Sequence, residues 1–153
     1  MFRTLVALVA LTCVVALSAC GGSSSDSLSK SQLADKADSI CKSTNAKLKG
    51  LGQPTSADQL PDYYQKALAL AKTQEADLKG LKPADDVKDQ WNSMLALVSS
   101  SNGLLQQIVD ASKTTAGKAK LQSLSAQGEA LNTKLNAAAD ALGATVCGSK
   151  SGG

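Results

Sequence analysis

Residues 83–112 read PADDVKDQWNSMLALVSSSNGLLQQIVDAS, and this stretch decides the fold. Val87, Trp91, Met94, Val98, Ser101, Leu105, Ile108 and Ser112 recur at alternating spacings of four and three. That period puts them on one face of an amphipathic helix, close to a 3.5-residue repeat. Pro83 suits a first turn, where its missing N–H costs nothing. Asp85 and Asp86 follow at the end whose dipole favours carboxylates. A helix this long with one apolar stripe must bury that stripe against other helices.

The flanking sequence supplies three such partners. Upstream, Ser29 and Gln32 have capping-box spacing, and Leu28 and Leu33 have that of a hydrophobic staple. A stripe then runs through Leu33, Ala37, Ile40, Thr44, Leu48 and Leu51, and Gly50, Gly52 and Pro54 stop it. A second helix is expected from Pro61 to Lys79 after a short turn, with Tyr64, Ala67, Leu68, Ala71, Leu78 and Leu81 on its face. Downstream, a fourth begins after Thr114-Thr115-Ala116-Gly117. Its capping is poor and Lys118 and Lys120 are badly placed against the dipole. Its stripe is Leu121, Leu124, Gly128, Leu131, Leu135, Ala138 and Leu142, and Gly143 ends it. The expectation is an all-α, up-down-up-down four-helix bundle, with the start of the first helix and the end of the fourth at one end.

Ahead of the bundle lies a different kind of segment. One basic residue, Arg3, precedes an apolar run from Leu5 to Leu17 that is too short to span a bilayer. With small residues behind it, this has the form of a secretory leader. The run ends in Leu17-Ser18-Ala19-Cys20, followed by Gly21-Gly22-Ser23-Ser24-Ser25-Asp26-Ser27. These four residues resemble the lipobox of bacterial lipoproteins. The resemblance implies cleavage before Cys20, a diacylglycerol on its thiol, and further acylation, such as palmitate, on the new amino terminus. The expected organisation is a signal peptide over 1–19, a lipidated flexible tether over 20–28, a helical domain over 29–147 and a disordered tail over 148–153. The expected location is the cell membrane, on its extracytoplasmic face.

Removing 19 residues leaves 134, one domain's worth, with 15 lysines against 13 acids and a net charge of +2. The charges are interleaved, which gives a solvated surface and not a nucleic-acid stripe. No histidine exists and the one arginine leaves with the leader. General-base imidazole and the guanidinium fork for phosphate are therefore missing. Cys13 is also lost and Cys20 takes lipid, so Cys41 and Cys147 remain. Outside the cytoplasm such a pair is expected to bridge. The tail after Gly143 must then fold back along the first helix to reach Cys41.

No catalytic group, cofactor site or metal site emerges from the pattern. Asp35 with Asp38, and Asp85-Asp86-Val87-Lys88-Asp89, sit at helix starts, where dipole pairing accounts for them. One feature stands out: the third helix loses its apolar pattern at Ser99-Ser100-Ser101-Asn102-Gly103. Folding the helices symmetrically about their turns brings Thr44, Asn45, Tyr63, Tyr64 and Gly128 level with Ser101 and Asn102. This candidate polar layer is either a small-ligand pocket or tight packing through small residues.

Three stretches, Ala34-Asp35-Lys36-Ala37-Asp38-Ser39-Ile40-Cys41, Leu78-Lys79-Gly80-Leu81-Lys82-Pro83 and Leu142-Gly143-Ala144-Thr145-Val146-Cys147, resemble a group of small helical lipoproteins of actinobacteria. The resemblance implies the same fold and disulfide, and no activity. The expected function is a non-catalytic binding or interaction module, anchored in the membrane through Cys20. Its partner would be an envelope protein, polymer or small ligand and not nucleic acid. The alternative is a structural spacer without a ligand.

Overall fold

The computed structural model describes residues 27–150; the leader, Cys20 and most of the tether expected from the sequence, with residues 151–153, lie outside the described residues. Four long helices form the bundle: α1 (Lys30–Gly50), α2 (Leu60–Lys79), α3 (Asp85–Ser112) and α5 (Leu121–Leu142). A short helix α4 (Thr115–Lys118) sits in the last connection, and a single 3-10 turn (Ala57–Gln59) leads into α2. Among the described residues there is no strand, only an isolated bridge between Leu28 and Pro83. The architecture is the up-down four-helix bundle that the stripes predict.

Local rules hold at most helix ends. At α1 the capping box is complete: Ser29 N–H donates to Gln32 Oε1 at 3.0 Å, and Gln32 N–H donates to Ser29 Oγ at 3.4 Å. Leu33 is 1% exposed and Leu28 packs on the core beside it, as a staple requires. Pro61 stands in the first turn of α2, where its lack of a donor is harmless. Gly143 closes α5 at φ 89°, the left-handed conformation that favours glycine. The entry to the fourth long helix departs from expectation. Thr114 Oγ1 accepts from Gly117 N–H at 2.9 Å and caps α4, a separate turn of four residues before α5. Lys118 and Lys120 therefore sit around a break rather than inside one continuous helix.

The main core lies at the end where the chain enters and leaves. Leu33 and Ala37 from α1, Leu78 from α2, Trp91 and Met94 from α3, and Leu142 from α5 meet there. Each large apolar side chain buried this way contributes about 1.5–3 kcal/mol. Neighbouring helices pack in sequence, α1 on α2, α2 on α3, and α3 on α5. On α3 the expected stripe is buried from Val87 to Val98; beyond it Ser112 is buried as expected, and Leu104 is buried in place of the half-buried Leu105. Asn102 and Val109 are buried where Ser101 and Ile108 were expected, and both of the latter are half-buried. The departures fall on both sides of the stripe, because α3 packs against α2 and against α5.

Two connections set the register. Residues 80–84 do not form a tight turn. Leu28 N–H donates to Lys82 C=O at 2.7 Å and Ala84 N–H to Leu28 C=O at 2.9 Å, pairing this linker with the entering chain. Leu28 thus belongs to the fold and not to a tether. Gly80 still closes α2 in helical conformation and Leu81 N–H donates back to Leu78 C=O, so four steps from Leu81 to Asp85, at most about 14 Å, carry the chain past the helix end, and α3 starts below the end of α2. The second connection is the strap after Gly143. Ala144 is fully buried and the chain coils, with Gly148 N–H donating to Ala144 C=O and Lys150 N–H to Thr145 C=O. Gly148 is buried. Order therefore continues to Lys150, where a disordered tail from 148 was expected.

The strap carries Cys147 to Cys41, and the disulfide forms with Cα atoms 5.2 Å apart. A β-carbon on Gly143 would lie 3.5 Å from Ala34 Cβ, so α5 ends beside Ala34. Cys41 is seven residues further along α1, a climb of only about 10 Å. Coiled backbone covers that distance. The tail folds back as expected, and Val146 is half-buried on the way.

Candidate functional site

The candidate polar layer divides into separate places. Asn102, 8% exposed, uses its amide on α2: Nδ2 donates to Glu75 Oε2 at 2.6 Å and to Ala71 C=O at 3.3 Å. Reflection about a turn at residue 82 would set Asn102 against residue 62. The linker through Lys82, Pro83 and Ala84 moves it some ten residues, about 15 Å. Tyr63 and Tyr64 consequently lie toward the opposite end, their rings edge-on with centroids 5.6 Å apart. Tyr63 faces the α1–α2 connection with Gln53, Pro54 and Gln59. Thr44 is buried against α2, Asn45 and Ser101 are half-buried, and Gly128 faces Leu104 across α3 and α5.

Glu75 is the residue that sequence reasoning missed. Its side chain is 13% exposed and takes Lys79 Nζ at 2.5 Å. Hydrogen bonds from Lys79, Asn102 and Ser99 hold its carboxyl below the ordinary range, against an opposing effect of burial. The signal was present in the i,i+4 spacing to Lys79. Asn102 thus spends its amide inside the bundle, on α2, and does not present it to a ligand.

Asp38 is a second unread residue. Its Oδ1 accepts Val146 N–H at 2.8 Å and Cys147 N–H at 3.1 Å, so one carboxylate seats the strap beside α1. At the bridge, Gln74 Nε2 donates to Cys41 Sγ at 3.2 Å, while Cys147 Sγ lies 3.2 Å from Ala37 O. Among the described residues no three His, Cys, Asp or Glu side chains gather as metal ligands. No described helix is long and apolar enough to cross a membrane.

The outer seam between α1 and α2 is concave along most of its length. A hollow of about 200 Å³ beside Ser39, Ser43 and Thr73 shares Lys47 and Leu70 with the next, of about 410 Å³, which adds Gly50 and Ala69. That hollow shares Leu51 and Lys66 with a third, of about 270 Å³, at Tyr63. The three lie in a row along the seam as separate hollows, the middle one shallow and mainly apolar, the outer two lined largely by polar side chains with Asp77 at one end and Asp62 at the other. Another concavity of about 440 Å³ lies at the α3–α5 corner, by Asp110, Thr114, Lys120 and Leu124.

No family model, curated protein or solved structure matches this chain.

Proposed function

We propose that this chain is a bacterial lipoprotein, held on the extracytoplasmic face of the cell membrane by lipid on Cys20, and that its bundle is a non-catalytic interaction module. The observation that carries the reading is Leu17-Ser18-Ala19-Cys20 directly behind a short apolar leader. The Cys41–Cys147 disulfide supports it, because such bridges persist outside the reducing cytoplasm. Eight residue steps separate Cys20 from Leu28, a reach of at most about 29 Å. The bundle therefore stands beside the membrane with its α1–α2 connection at the far end. The chain's lack of histidine, with its one arginine in the leader, supports binding over catalysis.

Mass spectrometry of the mature protein tests the anchor. The amino-terminal peptide should begin at Cys20 and carry diacylglycerol mass, and Cys20→Ser should abolish both lipid and membrane retention. An unmodified amino terminus elsewhere refutes it. A structural spacer is the second reading, favoured because Asn102 spends its amide on Glu75 and Ala71. Thermal shift against envelope fragments separates the two, since only a binder gains stability as RT ln(1 + [L]/Kd).

A further inference from the structure

We propose that Asn102–Gly103 is a site of spontaneous deamidation, silent while α2 and α3 stay packed and open to reaction once they part, and that its product stops the bundle from closing again. Asparagine loses its side-chain amide through its own backbone. The nitrogen of the next residue attacks Cγ, the Cγ–Nδ2 bond breaks, and ammonia leaves with the proton from the attacking nitrogen. A five-membered succinimide remains, and water opens it at one carbonyl or the other to give aspartate or isoaspartate. A following glycine favours the attack, because no side chain shields its nitrogen and its backbone turns freely. Asn45, Asn92, Asn132 and Asn136 precede Ala46, Ser93, Thr133 and Ala137, and Asn102 alone precedes a glycine. Gly103 has no packing duty to explain it: a β-carbon there would meet nothing within 4 Å, and glycine is a poor choice inside a helix.

The fold blocks this chemistry twice. Both residues lie well inside α3, where the Gly103 N–H belongs to the helix ladder and is directed four residues back, away from Cγ. The Asn102 side chain is buried, and its Nδ2 donates to Glu75 Oε2 at 2.6 Å and to Ala71 C=O at 3.3 Å. Turning Cγ onto the Gly103 nitrogen breaks both bonds. Opening α3 away from α2 releases the two restraints together. The product then opposes the return. Aspartate at 102 sets a carboxylate where an amide donated to Glu75, so like charges meet at hydrogen-bond distance and Ala71 C=O loses its donor. Lys79 already pairs with Glu75 and offsets one of the two charges. Isoaspartate also adds a methylene to the main chain of α3 and breaks the helix repeat. An opening that would otherwise reverse is made permanent by a chemical change in the open chain.

The test incubates the chain from residue 20 with Cys20→Ser, disulfide intact, at one mildly alkaline pH and one temperature, either folded in buffer or unfolded in urea. Peptide mass spectrometry times amide loss at each asparagine. In urea Asn102 should react first, and in the folded chain it should react on the order of a thousandfold or more slowly, the scale of a native protein's open fraction. Gly103→Ala should stay folded and slow the loss in urea to that of Asn45, which also precedes alanine. Wild-type chain held in urea until modified should refold in lower yield than chain unfolded briefly. Asn102→Asp should lower the urea midpoint, and adding Glu75→Gln should recover much of it by giving the new carboxylate a donor. Should Asn102→Asp alone fail to fold, the double variant and the timed wild-type reaction still decide the matter. Equal rates in folded and unfolded chain overturn the inference, as does an Asn102 that reacts no faster in urea than the other asparagines. So does a wild-type midpoint in Asn102→Asp, full refolding of modified chain, or a loss that Glu75→Gln leaves unchanged.

Discussion

Replacing Cys147 with serine should cost this bundle much of its thermal stability without dislodging the strap. The bridge joins residues 106 apart. In the chain-entropy account, opening a loop of that size releases about 4.7 kcal/mol of denatured-state constraint. The native strap keeps other attachments: two N–H bonds to Asp38, buried Ala144, and its own coiled turns. The described 124 residues, at about 2.1 cal/mol/K each, unfold with roughly 0.26 kcal/mol/K. The full entropic effect therefore lowers Tm by about 18 °C, and native strain or residual denatured structure reduces it. Thermal scans by far-UV circular dichroism of wild type and Cys147→Ser read the shift. Hydrogen exchange at the backbone amides of positions 146 and 147, compared between the two proteins, reads the strap. A fall below about 5 °C, together with lost protection at Val146, would refute the reasoning. It would mean that the disulfide holds the native strap and does little to the unfolded chain.

Two glycines should respond oppositely to alanine. At Gly117 a β-carbon would collide with the backbone of Ala111, so Gly117→Ala should cost about 1–3 kcal/mol. At Gly128 the nearest atom is Leu104 Cδ2 at 3.6 Å, so Gly128→Ala should gain up to about 1 kcal/mol from helix propensity; urea midpoints check both. Trp91 is 1% exposed and its Nε1 has no hydrogen-bond partner among the described residues. Trp91→Ala should therefore cost about 3–5 kcal/mol, and Trp91→Phe clearly less, because it also removes an unsatisfied donor; equal losses in denaturant melts would contradict this. Glu75 has a folded-state pKa below its ordinary 4.5, so its contribution is present above that pH and is lost as pH falls through the folded value. Wild type should lose stability more steeply than Glu75→Gln in melts taken below that pH, and parallel curves would show no net stabilisation.

The helices were legible because each is written in local rules. Ser29, Gln32 and the Leu28–Leu33 pair mark one start, and the spacing from Val87 to Val98 marks the most buried face. The pairing of Cys41 with Cys147 was legible from cysteine count and the expected compartment. The candidate site was much less so. Its placement depended on how far α2 slides along α3, and that slide is set by a nonlocal contact, Leu28 with the 82–84 backbone. Helical periodicity says which face a residue occupies and nothing about axial offset. Hence Asn102 was rightly singled out as a polar break in the stripe, yet its partners proved to be Ala71 and Glu75 and not Tyr63 or Tyr64. Asp38 was hidden for a different reason: dipole pairing at a helix start was its expected role, but it stands two turns into α1, beyond that effect, and only the returning strap reveals its use.

The span closed by the disulfide also changes what a protease can achieve. The exposed connections around residues 52–59 and 113–120 both fall between Cys41 and Cys147. A single backbone cut in either one leaves two fragments still joined through sulfur. If the amino terminus is lipidated as proposed, a nicked molecule remains on the cell that made it, and shedding requires a second cut, reduction, or cleavage ahead of Cys41.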